Sequence, residues 1–516
     1  MSLLLGLDLG TGGVRVGLFD PASRRIVATM ETTYRTEHPR PGWAEQSPAE
    51  WWAAIGDATR RVMAMAGHPT VAGVAVATTA STVVACRADG EPLRPALLWM
   101  DCRAGVEAAR TGESRHPVMA QSGGSDAAEW LVPKAMWMAR HEPERYAAAD
   151  VLCECVDWVN FMLTGRWAAS RMNATCKWNY DGEAERFHPE LYDELGAPGL
   201  EGKLPADVLP VGTPVARISA AAAAHLGLGG QRPVLSQGGI DAHIGMLGAD
   251  TVEPEQLLMI GGTSVVHLFQ LAEARPLPGF WGPYPGALLA DRLLVEGGQV
   301  SAGSVLSWLS GTIFQLDPAG TAALIAEAAR RPFASDMLML DYFMGNRTPY
   351  RDPHLRGAML GLSLGHDRAA LYRAAVDGVA LASANVVGQA REHGVPIRRV
   401  VSAGGYSRNA LWLQATVDAV GQPVVMAAEE NLTLVGTAAV AATGIGWFAD
   451  LREAARAVAR DGRVIEPDPG SCGRYAEALG RYREATARLT PVLHALSGRQ
   501  ATTAAAAVPD GAAACG

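Results

Sequence analysis

Leu3-Leu-Leu-Gly-Leu-Asp8-Leu-Gly10-Thr11-Gly12-Gly13-Val14-Arg-Val-Gly-Leu-Phe19 is the stretch that decides the fold. An apolar run, Leu3–Leu9, meets a four-residue glycine turn, and a second run, Val14–Phe19, follows. Arg25–Met30 is a third. Strand, tight turn, strand is a hairpin pattern. The turn is too short to hold a crossover helix, which argues against a dinucleotide-binding βαβ unit. The same opening recurs later: Leu257–Ile260, then Gly261-Gly262-Thr263-Ser264, then Val265–Leu268. Gly10-Thr11 and Gly262-Thr263 hold equivalent places in the two hairpins. The expectation is a duplicated α/β architecture, with two similar domains facing each other across a cleft. The boundary falls near 248–256, giving an N-terminal domain over 1–250 and a C-terminal domain over 251–498.

The rest of the chain agrees with alternating strands and helices. Ser47-Pro48-Ala49-Glu50 has the spacing of a capping box, with proline at the first helical position. Trp51, Ile55, Ala58, Val62 and Met65 then recur at helical spacing. Val71–Thr78 is nearly all apolar, as a strand covered on both faces is. Val83–Cys86 and Ala96–Trp99 read as further strands. A Pro- and Gly-rich stretch spans about 205–233, with an Ala-rich helix at Ile218–Leu226 inside it. Pro233–Gln237 is then a strand that ends in Gly238-Gly239-Ile240-Asp241.

Composition narrows the function. The 516 residues are 49% hydrophobic and 19% charged, the balance of a globular protein long enough for more than one core. A net charge of −9 disfavours a nucleic-acid partner. Seven cysteines form no regular framework, which fits a reducing compartment. Cys153 and Cys155 have no second ligand pair at zinc spacing and read as small buried apolar residues. The first residues read as a strand rather than a signal peptide, and no 18-residue apolar run suggests a membrane span. A cytoplasmic protein with no membrane partner is expected. From Arg499 on, apolar periodicity is lost, so 499–516 reads as a disordered tail that includes Cys515.

Several residues suit phosphate chemistry. Glycine turns expose backbone N–H groups that can point at phosphate oxygens, and Thr11, Thr263 and Ser264 add hydroxyls. No Walker-type loop is present. One such turn alone is explained as an ordinary hairpin turn; two matched turns with threonine favour phosphate. Asp8 stands beside the first turn, where a carboxylate needs a cation between it and a phosphate, or else caps the turn. Asp241 follows two glycines, which let a substrate approach. A sugar hydroxyl attacking a γ-phosphoryl group needs such a carboxylate to orient it and take its proton. A helix cap is the equal alternative. His243 reads as a packing or orienting residue. Ala403-Gly404-Gly405-Tyr406-Ser407-Arg408-Asn409 lies between a strand and the helical Ala410–Val420, where a glycine pair leaves a flat surface for a base and Asn409 can hydrogen-bond it. The default there is a plain turn with a helix cap. Gly345-Asn346-Arg347-Thr348-Pro349 reads as a polar turn, and tryptophans 43, 51, 52, 99, 137, 158 and 178 as core or cleft lining.

Taken in order, these segments resemble the FGGY family of carbohydrate kinases. The pieces are Gly6-Leu-Asp8-Leu-Gly10-Thr11, Pro41-Gly-Trp43-Ala-Glu45-Gln46, Leu98-Trp-Met-Asp101-Cys-Arg103-Ala, Gly238-Gly-Ile-Asp241-Ala-His243, Gly261-Gly-Thr263-Ser, Gly345-Asn-Arg-Thr-Pro349 and Ala403-Gly-Gly-Tyr-Ser-Arg-Asn409. The resemblance spans the chain to about residue 490. It implies an actin-like, ribonuclease-H-like fold in each of two domains, and a kinase that uses ATP and Mg2+. It implies Asp241 as catalytic base, with Asp8 and Asp241 near the magnesium through water. Gly10, Thr11, Gly12, Gly262 and Thr263 would meet the phosphates, with Gly404, Gly405 and Asn409 near the nucleotide. Domain closure would expel water and limit idle ATP hydrolysis. A homodimer is common in the family, though nothing in this sequence requires one.

Three details resemble the ribulokinases within the family: Ala174-Thr-Cys-Lys177-Trp-Asn-Tyr180, Glu296 in Val295-Glu296-Gly-Gly-Gln299, and Ala77-Thr-Thr-Ala80-Ser81-Thr82. The resemblance implies that Lys177, Asp241, Glu296 and the backbone at Ala80 contact a ketopentose. Phosphorylation of D- or L-ribulose, or of ribitol, is therefore expected. The alternatives are a xylulose, erythritol or heptulose kinase of the same family, or a non-catalytic ATP-binding sugar sensor. Sensors of related folds often begin with a DNA-binding domain, and here the first strand begins at residue 3.

Overall fold

A computed structural model describes residues 2–506. The opening hairpin forms as its pattern dictates: β1 (Leu3–Leu9) and β2 (Gly13–Asp20) pair antiparallel from Leu4↔Phe19 to Leu9↔Val14. β3 (Arg25–Thr33) extends the meander. Helix α1 (Pro48–Met65) then crosses over, and β4 (Val71–Thr78) returns parallel to β1. β5 (Pro214–Arg217) and β6 (Val234–Ile240) complete a six-stranded sheet in the order β5-β6-β4-β1-β2-β3. β6 runs parallel to β4, and β5 is an antiparallel edge.

The second half repeats this plan. β7 (Gln256–Gly261) and β8 (Val265–Leu271) form the hairpin, and β9 (Trp281–Pro285) and β10 (Leu293–Gln299) extend it. After helix α3 (Arg368–Glu392), β11 (Arg399–Gly404) lies parallel to β7, β12 (Val424–Ala427) parallel to β11, and β13 (Asp461–Ile465) forms an antiparallel edge. The sheet order is β9-β10-β8-β7-β11-β12-β13. Three antiparallel strands followed by two parallel ones occur in both sheets, which is the expected actin-like, ribonuclease-H-like duplication. The first half also carries a small four-stranded sheet, built from Glu45–Gln46 and three strands that follow β4, with its own core around Trp137, Trp178 and Tyr192.

The halves are joined by exchanged helices. Helix α2 (Asp241–Gly248) leaves the end of β6 and packs against α5 (Leu432–Gly444), which comes from the second half yet lies on β1, β4 and β6 of the first sheet. One core therefore spans both halves, with Leu4, Ala75, Ile244, Leu258, Leu268 and Val435 in contact. The crossing is backbone to backbone. A Cβ on Gly436 would sit 2.0 Å from the Ile244 carbonyl oxygen, and one on Gly248 2.2 Å from that of Leu432.

Some local expectations change. Ser47 caps α1 without a side-chain bond: the Glu50 N–H goes to the Ser47 carbonyl at 3.0 Å, and the Glu50 carboxylate, which a capping box would turn back to Ser47, accepts the Arg35 backbone N–H and pairs with its guanidinium, both at 3.1 Å. The Ala-rich helix is Ala220–Leu226, starting two residues later than its composition suggested. Cys153 and Cys155 are buried and free, as expected. The final helix (Pro469–Ala506) continues past Arg499, and the remainder of the expected tail, 507–516 with Cys515, lies outside the described residues. No helix among the described residues is long and apolar enough to cross a membrane.

Alanine at an open helical position gains about 1 kcal/mol over glycine, whereas an added methyl against fixed backbone costs about 1–3 kcal/mol or more. Gly436→Ala is thus expected to lower the thermal midpoint by several degrees. Gly480→Ala, whose new Cβ meets nothing within 4 Å, is expected to hold or raise it. Thermal unfolding of the two variants side by side tests the crossing.

Candidate active site

The site begins with an irregularity in β6. Its register against β4 shifts between Ser236 and Gly239. At this point Gly238 lies so near β4 that a Cβ would stand 1.8 Å from the Val76 carbonyl oxygen. Such a bulge re-aims the chain that follows it. The Gly238 carbonyl is held by Ser170 Oγ at 2.8 Å and Gln237 Nε2 at 3.2 Å. The chain then turns into α2 and presents Asp241 in its first turn, half-buried.

Asp241 accepts the Ala242 N–H at 2.7 Å. Burial, then repulsion from Asp8 and from Glu296, push its carboxyl up to about 7 against that hydrogen bond. Asp8 stands near the end of β1, opposite Arg15 across the hairpin. Burial pushes it up to about 6, opposed by the Arg15 guanidinium at 3.7 Å. Tyr34 donates its hydroxyl to the Gly10 carbonyl, and its own ionisation is suppressed by burial and by nearby charges that include both Asp8 and Asp241. The two aspartates of the sequence analysis therefore share one electrostatic site.

The first glycine turn is braced from three sides. Gly10 N–H bonds the Gly13 carbonyl at 3.0 Å, and Gln46 Nε2 donates to the Thr11 carbonyl at 2.7 Å. Trp99 Nε1 donates to Thr11 Oγ at 2.9 Å. Gly12 is left exposed. In the second turn Gly262 N–H bonds the Ser264 carbonyl at 2.8 Å, and the N–H groups of Ala302 and Gly303 bond the carbonyls of Thr263 and Gly262, both at 3.1 Å. Gly404 and Gly405 pack directly on Gly261, beside this turn. Asn409 is committed to the fold: its Oδ1 caps α4 (Ala410–Val420) through the Trp412 N–H at 3.1 Å, and its Nδ2 donates to Tyr372 at 3.3 Å.

The remaining candidates meet in one pocket. Lys177 ends the helix Arg171–Lys177 and is buried, not a surface lysine. Its Nζ donates to Glu296 Oε2 at 3.0 Å and lies 4.6 Å from the centre of the Trp130 ring. Burial works to raise the Glu296 carboxyl, but Lys177, through its charge and its hydrogen bond, outweighs it and holds it below its usual range. His243 Nε2 is 3.6 Å from the same oxygen. Burial drives the His243 imidazole down to about 4, and neither ring nitrogen has a hydrogen-bond partner within the protein. Ala80, Trp99, Glu129, Trp130, Trp281 and Arg347 close the rest of a cavity of about 80 Å³ around Lys177 and Glu296.

Four of these residues were not foreseen as site residues. Arg347 lies in the polar turn noted above, yet it reaches across to Glu129 of the first half at 2.9 Å. Arg351 follows it, bonding the carbonyls of Gly123 at 2.7 Å and Ser125 at 3.1 Å. The turn is thus a strap between the halves. Glu129, Trp130 and Trp281 carry no local pattern that marks them.

Profiles of two domains match this chain: the N-terminal domain of the FGGY family of carbohydrate kinases over residues 3–248, and the C-terminal domain of the same family over 257–445. The chain belongs to the FGGY family of carbohydrate kinases. It is similar to an FGGY carbohydrate kinase domain-containing protein of Danio rerio, 30% identical over 90% of this chain and 94% of the relative. It is also similar to a ribulokinase of Mycolicibacterium smegmatis, 29% identical over 93% of each chain. The crystal structure of a xylulose kinase from Rhodospirillum rubrum superposes with a TM-score of 0.84 at 26% identity, covering 95% of this chain and all of that one. This kinase therefore has relatives named for more than one ketopentose.

Two outcomes follow for the charged groups of the kinase. The folded state holds the Asp241 proton more tightly than the unfolded state, whose carboxyl titrates near 3.8. This group's support for folding is present at low pH and is lost as pH rises towards about 7. Asp241→Asn is expected to raise the thermal midpoint at pH ~8 and to change it little near pH ~4, as paired melts at the two pH values will read out. Lys177→Met leaves Glu296 buried and unpaired, at a cost of about 3–5 kcal/mol. The double variant Lys177→Met/Glu296→Gln is expected to regain most of that loss in denaturant titrations.

Proposed function

We propose that this kinase transfers the γ-phosphoryl group of ATP to a primary hydroxyl of a neutral ketopentose or pentitol, of the ribulose or ribitol kind. The observation that carries the reading is the buried Lys177–Glu296 pair, with His243 against it and Asp241 two residues away on the same helix turn. A lysine and two carboxylates offer donors and acceptors at fixed positions for several hydroxyls. A wrong epimer leaves one of them unmatched in a buried site, at about 1–3 kcal/mol each.

Charge balance supports a neutral substrate. Each cation of the pocket already has a carboxylate, Lys177 with Glu296 and Arg347 with Glu129. A sugar acid would bring a further negative charge with no cation left to meet it. The pair is also why the reading favours a polyol over a flat aromatic or an apolar substrate.

In the reaction, Asp241 orients the attacking hydroxyl and takes its proton as the O–P bond forms. Because the transition state is loose, the proton leaves late and a modest base suffices. Asp8, buried, and Asp241, half-buried, are two carboxylates whose proton affinities are raised by desolvation and, for Asp241, by the other's charge. That donor set fits a magnesium ion held mainly through water. Magnesium there would neutralise charge on the phosphates. Gly10, Thr11, Gly12, Gly262 and Thr263 serve the phosphates through backbone N–H and hydroxyl groups. Gly404 and Gly405 border the nucleotide, and Asn409 shapes that wall as the cap of α4.

The test is ADP release with ATP, Mg2+ and a panel of D- and L-ribulose, D- and L-xylulose, ribitol, erythritol, glycerol, sedoheptulose and gluconate. One ribulose or ribitol is expected to lead the panel, with gluconate at least ~10-fold behind. Asp241→Asn is expected to lose about 100-fold or more in kcat. The wild-type kcat/KM should fall about tenfold per pH unit below about 7, where Asp241 becomes protonated. A lead for a xylulose, a tetritol or a heptulose overturns the substrate assignment. Sugar-independent turnover that survives Asp241→Asn overturns the assignment of the base.

A further inference from the structure

A second group of ligand-type side chains lies outside the pocket, in the first half. His116 immediately precedes the short turn Pro117–Ser122, and His188 and Glu190 flank Pro189 at the start of the helix Pro189–Leu195. His188 Nδ1 is 3.0 Å from Glu190 Oε1, and His116 Nε2 is 3.5 Å from the same oxygen. One ligand atom from each of the three residues falls within 4.8 Å of the others. Two atoms bound to zinc at tetrahedral geometry stand roughly 3.3–3.5 Å apart, given bond lengths of about 2.0–2.2 Å. The two separations to Glu190 need little adjustment to reach that spacing, and the two histidines close to it by turning their rings.

A separate observation concerns the far side of His188. Its Nε2 faces Asp181 Oδ2 at 3.3 Å. A metal-bound histidine almost always gives its remaining N–H to a carboxylate, which fixes the ring and its tautomer. Asp181 is itself held by Gln121 Nε2 at 3.1 Å and by the N–H groups of Glu183 and Ala184 at 3.0 and 2.9 Å. The two imidazole rings stand 4.5 Å apart at 61°, so both can turn an edge to one point. His188 is buried, while the Glu190 side chain is 59% exposed and leaves one side open to water. One contact opposes the arrangement. His116 Nδ1 accepts the Val118 N–H at 3.4 Å, a long bond that is given up when Nδ1 carries the proton.

We propose that His116, His188 and Glu190, oriented by Asp181, form a site for one borderline divalent transition-metal ion such as Zn2+. Two imidazoles and a carboxylate suit such an ion, whereas Mg2+ prefers an all-oxygen shell. The site is separate from Asp8 and Asp241 and takes no part in phosphoryl transfer. It ties the 116–122 turn to the segment that runs on from Lys177, so its effect is on the stability of that region.

The test uses the whole protein after chelator treatment, titrated calorimetrically with Zn2+ and spectroscopically with Co2+, both in excess Mg2+. One ion per chain is expected, with a higher thermal midpoint and cobalt absorption typical of nitrogen ligation. His188→Ala and the more exposed Glu190→Gln should each weaken binding at least ~10-fold, and Asp181→Asn about 10–100-fold. The kcat on the best sugar should be unchanged in Glu190→Gln. Absence of stoichiometric binding, displacement by Mg2+, or equal affinity in Glu190→Gln and wild type would each overturn the site and leave the cluster as an ion-pair network.

Discussion

The contact on which the rest depends is the crossing of α2 and α5, where glycines let two helix backbones touch. Side chains at that point would hold the helices apart and split the shared core between the sheets. The same contact also places Asp241, because α2 begins with it and α5 begins beside it. Thr433, in the first turn of α5, donates its hydroxyl to the Asp241 carbonyl at 3.3 Å. Asp241 is thus fixed from both halves: by the bulge of β6 on one side and by α5 on the other.

Around Asp241 the charges are arranged by burial rather than by exposed pairing. Asp8 and Asp241 sit where their ionised forms are costly. Glu296 is kept ionised by Lys177 in spite of its burial. Three carboxylates in one cleft therefore have three different proton affinities, and environment alone distinguishes them. His243 is neutral between them, so it can exchange hydrogen bonds without adding charge.

The two hairpins with their glycine turns are legible in the sequence because the pattern is local: apolar run, glycines, apolar run. Lys177 and Glu296 are legible through resemblance, and the pocket brings them together. The helix exchange is not legible, since nothing in 432–444 says which sheet it will cover. Trp130 and Trp281 are isolated aromatics, and their convergence on Lys177 is a product of topology. Glu129 becomes meaningful only once Arg347 arrives from 218 residues away. Asn409 is the opposite case: its place before a helix reads as a cap from the local sequence, and it caps α4.

The exchange of α5 also bears on how the chain is made. The first half is complete in sequence by Gly248, yet the face formed by β1, β4 and β6 is covered only when 432–444 has been synthesised. At about 5–20 residues per second, translation leaves that face without its helix for on the order of 10–40 seconds. During this time Leu4, Ala75 and Ile244 lack Val435 and Ala439, their partners in the finished core. The nascent N-terminal half therefore carries an uncovered apolar face until then, and its solubility during synthesis depends on a segment that has yet to emerge.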